Sequence, residues 1–281
     1  MAAQIERQVA DFSPDKRVVY KTLGDVQLSL DVFLPTERAP FVALPCIVFF
    51  HGGGWNGGKP SQFHPHCHYL ASRGMTAISA EYRVAERHGT TPYECVADGK
   101  SVIRWVRRNS ASFGVDPGRI VAGGGSAGGH VAAATAAVTQ FENDGEDLSI
   151  SPKPDALVLF NPVFDNGPDG FGHDRVKDHW RELSPMHNIV RGMPPAIVFL
   201  GTEDPHLPVS KAIEFKGRMN DVGTRCDVWT YEGQVHAFFN YRGTNPYYNA
   251  TVYAADKFLA SLGFLKGEPT LQNKAVEAAR L

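Results

Sequence analysis

Four short, continuous apolar runs, Cys46 to Phe50, Met75 to Ala80, Ile120 to Ala122 and Ala156 to Phe160, are followed by two more strand-like runs, Ala196 to Leu200 and Cys226 to Tyr231. Runs of this length without polar alternation suit strands buried on both faces. The stretches between them have helical periodicity: from Tyr93 to Arg108, for example, Val96, Gly99, Ile103 and Val106 recur at three- and four-residue spacing. Strands alternating with helices predict an α/β fold with a mostly parallel sheet and helices on both faces. Ahead of these runs, Arg17 to Leu23 and Gln27 to Phe33 flank Gly24-Asp25-Val26 and predict a hairpin at one sheet edge, which brings the sheet to eight strands. The last helices read as Val209 to Asn220, stopped by Gly223, and Tyr247 to Leu262, stopped by Gly263.

No repeat, low-complexity tract or linker interrupts the 281 residues, so a single domain over 1–281 is expected, with an N-terminal arm over 1–16 and a tail over 266–281 that is either a docked helix or a frayed end. A net charge of −2 supplies no field to attract nucleic acid or anionic lipid, so neither is an expected partner. No apolar run approaches a membrane span, and the start, MAAQIERQVADFSPDK, lacks the apolar stretch of a secretory signal. A cytoplasmic protein is the expectation. A secreted or periplasmic one stays open, since a processed signal leaves the same start. Cys46, Cys67, Cys95 and Cys226 are widely spaced and read as reduced, buried thiols.

The chemistry concentrates in Gly123-Gly124-Gly125-Ser126-Ala127-Gly128-Gly129, which follows a strand and opens an Ala-rich helix. It contains G-x-S-x-G in the strand-to-helix context that thrusts a serine out on a strained turn, with glycines where side chains would strike neighbouring backbone. Glycine-rich turns also cradle phosphates, but no G-K-[ST] follows this one. A second glycine-rich loop, His51-Gly52-Gly53-Gly54-Trp55, follows the run Cys46 to Phe50 directly. Backbone N–H groups aimed at a developing oxyanion stabilise it by about 3 kcal/mol each. Gly52 or Gly53 would supply such donors and Ala127, after the serine, another; His51 reads as structural.

A serine hydroxyl needs a base to take its proton, and a histidine suits the task. Among 11 histidines, His236 stands on a loop after the last expected strand, and Gly201-Thr202-Glu203-Asp204 follows the strand before it. Asp204 is the candidate acid to orient His236, with Glu203 in reserve. The order Ser126, Asp204, His236 is that of an α/β-hydrolase rather than of chymotrypsin or subtilisin.

Together the HGGGW, GGGSAGG, GTED and GQVHAFF segments resemble the α/β-hydrolase superfamily, and within it the carboxylesterases similar to hormone-sensitive lipase and to the acetyl xylan and feruloyl esterases. The resemblance runs from about Val18 to Leu265. It implies an oxyanion hole at Gly52, Gly53 and Ala127 serving the triad, and no metal or organic cofactor. Two positions depart from it: Ala237 stands where such esterases tend to carry glycine, and Glu81-Tyr82-Arg83 where the lipase-like branch commonly reads Asp-Tyr-Arg. Glu81 and Arg83 are expected to be structural ion partners.

The short N-terminal arm leaves little chain for the helical cap of the lipase-like branch. A minimal cap favours a short acyl group on a bulky alcohol, an acetyl or aryl ester of carbohydrate. The connection over 161–195, with Phe164, Phe171, His173, Trp180 and His187, is the remaining candidate lid. Trp55, Phe164 and Trp180 are the expected substrate-contacting aromatics. A metal reading of His64, His66 and His68 is disfavoured because alternate residues diverge and no carboxylate accompanies them. A peptidase of the same fold and a catalytically silent binding protein are the alternative functions. A dienelactone-hydrolase-like enzyme would prefer cysteine at the nucleophile position, where Ser126 stands.

Overall fold

The computed structural model describes residues 12–36, 42–243, 245–271 and 278–281. Most of the expected N-terminal arm and the middle of the tail therefore lie outside the described residues. The strands are β1 (Lys16–Leu23), β2 (Val26–Phe33), β3 (Leu44–Phe50), β4 (Thr76–Ala80), β5 (Val115–Gly125), β6 (Ala156–Phe160), β7 (Ala196–Gly201), β8 (Cys226–Tyr231) and β9 (Ala278–Arg280). They form one sheet in the order β1-β2-β4-β3-β5-β6-β7-β8-β9. The hairpin β1–β2 joins β4 antiparallel, β4 through β8 are mutually parallel, and β9 returns antiparallel on β8.

The central strands are apolar throughout because alternate side chains enter two different cores. Cys46, Val48 and Phe50 of β3, with Val198 and Leu200 of β7, face one side, against the helices α2 (Pro92–Arg108), α3 (Ala127–Ala137) and α4 (Val209–Asp221). Ile47 and Phe49, with Ile197 and Phe199, face the other, against α1 (His64–Ser72) and α5 (Pro246–Ser261). Local signals set the helix starts. Thr91 and Glu94 form a reciprocal capping box ahead of α2, and Asn245 accepts the Tyr247 N–H at 3.0 Å ahead of α5; proline opens both helices.

Among the described residues the count is nine strands rather than eight. The described end of the tail is β9, whose exposed Ala278-Ala279-Arg280 has no apolar face to read, and the middle of the segment expected as a docked helix or a frayed end lies outside the described residues. β5 begins five residues earlier than the apolar run, at Val115. Its pairing with β3 slips between Val115 and Ile120, and the slipped segment carries the Pro117-Gly118 pair that conceals strand in a sequence. Arg83 forks onto the buried Asp98 carboxylate at 2.8 and 2.9 Å, as a structural ion partner, whereas Glu81 accepts the Ser29 N–H at 3.3 Å. The four cysteines are free and buried. Among the described residues no helix is long and apolar enough to cross a membrane.

Candidate active site at the carboxyl ends of the parallel strands

β5 runs straight into α3 through Ser126, which takes φ 56 and ψ −122. This backbone conformation costs a residue with a Cβ about 1–3 kcal/mol and persists only where surroundings impose it. Packing imposes it here. A Cβ on Gly124 would lie 2.4 Å from the Gly128 carbonyl oxygen, and one on Gly128 would lie 2.1 Å from that of Phe50 and 2.4 Å from that of His51. The Ser126 N–H donates to the Phe160 carbonyl and its own carbonyl accepts the His130 N–H, both at 3.0 Å, so the turn is pinned to β6 and α3 at once.

Beyond β7, Asp204 Oδ1 accepts the backbone N–H groups of His206 at 2.9 Å and Leu207 at 3.1 Å. This Asx-turn fixes the carboxylate and leaves Oδ2 directed at His236 Nδ1, 2.7 Å away. His236 Nε2 lies 2.9 Å from Ser126 Oγ. With its carboxylate partner holding the proton on Nδ1, the ring presents a lone pair at Nε2 to the serine hydroxyl. The Asp204 side chain is fully buried and that of His236 is 22% exposed, which leaves one face of the relay open. Such an arrangement can draw the hydroxyl proton onto the imidazole as the oxygen attacks. Glu203, the reserve acid, is exposed beside it.

Around Ser126 the backbone donors divide. Gly53 lines the cleft, Ala127 opens α3, and their N–H groups have no hydrogen-bond partner among the described residues. The Gly52 N–H is taken: it donates to Gln62 Oε1 at 2.6 Å, and Gln62 Nε2 donates onward to Asn240 Oδ1 at 3.0 Å. Gly52 is therefore corrected from oxyanion donor to anchor of its own loop. His51 is structural as expected. Its ring stacks on Tyr82 at 4.3 Å, and the Tyr82 hydroxyl donates to the His51 carbonyl at 2.6 Å.

The cleft above Ser126 holds about 250 Å³, and its walls include Gln62, Asn161, Phe171, His206 and Phe239. The expected aromatic contacts need correction. Trp55 is 1% exposed, its ring edge-on to His130 at 5.1 Å beneath the loop. Phe164 is 3% exposed and stacks on Phe215 at 3.9 Å. Trp180 meets His187 edge-on at 5.0 Å and carries Arg181 on its face, away from the cleft. Large rings gain most where they are fully packed, and all three find partners inside the segment or the core. From the 161–195 connection it is Phe171 that reaches the cleft, held against His206 at 5.4 Å. Asn161 carried one legible signal, its place at the carboxyl end of a parallel strand, where open α/β sheets bind ligands; Gln62 carried none.

The histidines of α1 diverge. His64 Nε2 lies 2.9 Å from Asp31 Oδ2, a carboxylate far away in sequence, and His68 meets Phe12 edge-on. His66 is enclosed by Phe49, Phe63, Phe160, Phe239 and Tyr248, and neither ring nitrogen has a partner among the described residues. Burial lowers its pKa to about 3, and burial likewise lowers those of His51 and His130 to about 4, so all three are neutral near pH 7.

Comparison with known proteins finds esterases. The BD-FAE family model matches residues 30–165, and the model of the dienelactone hydrolase family matches residues 179–267, the part with Asp204 and His236 but without residue 126. Esterase LipC of Mycobacterium tuberculosis is 30% identical over 253 residues, covering 79% of this chain; the chain spans only 59% of LipC. Carboxylesterase NlhH of the same organism is 29% identical over 276 residues, covering 89% of this chain and 83% of NlhH. The apo form of Thermogutta terrifontis esterase 2 superposes with a TM-score of 0.86 at 44% identity, covering 90% of this chain and 96% of that one. That esterase has also been solved with propionate bound, with butyrate bound and phosphorylated by paraoxon. Identity at that level over nearly the whole of a solved esterase reaches well past a shared architecture, and the chain belongs to the carboxylesterases of the α/β-hydrolase superfamily.

Proposed function

We propose that this carboxylesterase cleaves esters of short carboxylic acids with bulky alcohols, acetyl or aryl esters of carbohydrate foremost, through an acyl-enzyme on Ser126. The observation that carries the reading is the continuous relay from Asp204 Oδ2 to His236 at 2.7 Å and from His236 to Ser126 Oγ at 2.9 Å, opening into a small cleft. His236 takes the hydroxyl proton as Oγ attacks the ester carbonyl, and the oxyanion rests on the N–H groups of Gly53 and Ala127. His236 then passes its proton to the leaving alcohol. Water, deprotonated by the same ring, frees the acid. Asp204 keeps the proton on Nδ1 and steadies the charged ring.

Size favours the short acyl group. Clefts that swallow drug-sized ligands run from about 300 to 1,000 Å³, and this one holds about 250 Å³. An alcohol of any bulk must sit outside, over the exposed His206 and Gly53. The propionate- and butyrate-bound forms of the Thermogutta esterase support the same acyl range. Parallel hydrolysis of nitrophenyl acetate, butyrate and decanoate, followed by release of acetate from acetylated xylo-oligosaccharides, tests it. Turnover falling steeply at decanoate, with acetate released from the sugar, is expected. Decanoate cleaved as fast as acetate would refute the short-acyl reading, and intact xylo-oligosaccharides would refute the carbohydrate one.

A further inference from the structure

The loop that delivers His236 has an alanine where its backbone turns left-handed: Ala237 sits at φ 65, a conformation that strains any residue with a Cβ. What holds it comes from a distant strand. The Ala237 N–H donates to the side-chain carbonyl of Asn161 at 3.0 Å. Asn161 follows β6 directly and is fully buried; its own φ is 34, and its backbone N–H is anchored on the Phe199 carbonyl at 2.7 Å. Asparagine, after glycine, tolerates that region best.

The contact with Ala237 also decides which way the amide faces. An N–H must meet an acceptor, so the end toward Ala237 is the oxygen and the NH2 points the other way. There it lies 3.4 Å from His236 Nε2. A donor beside Nε2 pairs with the ring form that carries its lone pair there. The other groups facing the ring are Asp204 on Nδ1, Ser126 on Nε2 and His206, whose ring centre is 5.2 Å away.

We propose that Asn161 is a positioning residue for His236: its carbonyl holds the histidine loop through Ala237, and its NH2, set beside Nε2, fixes the ring opposite Ser126. The proposal rests on the reading of His236 as the base. Asn161→Asp separates the two tasks at nearly constant shape, because one carboxylate oxygen still accepts the Ala237 N–H while the other sets an acceptor against Nε2. Asn161→Ala removes both.

The experiment is the pH dependence of nitrophenyl acetate hydrolysis by the wild type and both variants, with rates expressed per site titrated by the nitrophenol burst from a phosphate triester. For Asn161→Asp the acid limb should move up by about one pH unit. For Asn161→Ala, kcat should fall about 10- to 100-fold with KM little changed. An Asn161→Asp profile superimposed on that of the wild type would overturn the proposal, since a carboxylate held in the amide's place beside Nε2 must move the acid limb. If that variant yields no titratable sites, an Asn161→Ala kcat within about 2-fold of wild type overturns it instead. A wild type without esterase activity would fall on the esterase reading and not on Asn161.

Discussion

The two loops that meet at the candidate nucleophile solve one problem in different ways. Ser126 and Ala237 both carry a Cβ at positive φ, 56 and 65. At Ser126 the conformation is enforced by missing side chains: Gly124 and Gly128 let three backbone segments close to distances that no Cβ permits. At Ala237 it is enforced by an added side chain, the buried Asn161 amide reaching across from β6. Beneath both lies one aromatic layer. Phe239 of the histidine loop packs so close to Gly125 that a Cβ there would lie 2.5 Å from its ring, and it stacks on Phe160 at 4.7 Å. The elbow therefore depends on absences that cannot relax, and the histidine loop on contacts that can be adjusted one at a time.

That contrast predicts a graded response. Gly128→Ala should be the most damaging: its Cβ meets two carbonyl oxygens of β3 and the loop after it, neither at the end of a flexible chain. A loss of more than about 3 kcal/mol in denaturant unfolding is expected, with activity lost alongside. A variant within about 1 kcal/mol of wild type would show that the elbow can breathe.

The shared aromatic layer gives a pH-dependent effect of intermediate size. His66 is buried with its pKa lowered to about 3, against about 6.5 in the unfolded chain. Between those values the unfolded state binds the extra proton, so His66 lends stability above about pH 6.5 that is lost progressively as pH falls. His51 and His130, with pKa values lowered to about 4, act with the same sign. Replacing His66 with Phe removes one of these titrations. Relative to wild type, the variant should gain about 2 kcal/mol on moving from about pH 8 to pH 5, whatever its offset at pH 8. Parallel unfolding curves at the two pH values check this, and an unchanged difference would mean that the ring is protonated or hydrated in the native state.

The smallest effect is expected at the adjustable loop. Ala237→Gly relieves the left-handed strain at the expense of a more flexible unfolded chain, and a net gain of about 0.5 to 1 kcal/mol follows. A net loss would mean that the Ala237 methyl packs usefully and that the loops are more alike than the backbone angles suggest.

The same contrast explains what the sequence revealed. Geometry written in glycine is legible: the elbow, the loop after β3 and the relay order were read from GGGSAGG, HGGGW and the segments at Gly201 and Gly233. Doubly buried strands were legible as unbroken apolar runs. Geometry written in a single polar side chain was not, which is why the Gln62 contact that consumes the Gly52 N–H and the Asn161 contact that holds Ala237 went unseen. Aromatics misled for a related reason. Nothing in the spelling of Trp55 or Phe164 distinguishes a ring packed inward from one lining a cleft, and burial won in both cases. β9 was invisible because an exposed Ala-Ala-Arg edge has no pattern to read.

The most direct test of the whole account is hydrolysis of nitrophenyl acetate by Ser126→Ala beside the wild type. Removing a hydroxyl that lies 2.9 Å from His236 Nε2 should lower kcat by about 10⁴-fold or more while the unfolding transition stays intact. Residual turnover within about 10-fold of wild type in a folded variant would mean that Ser126 is not the nucleophile.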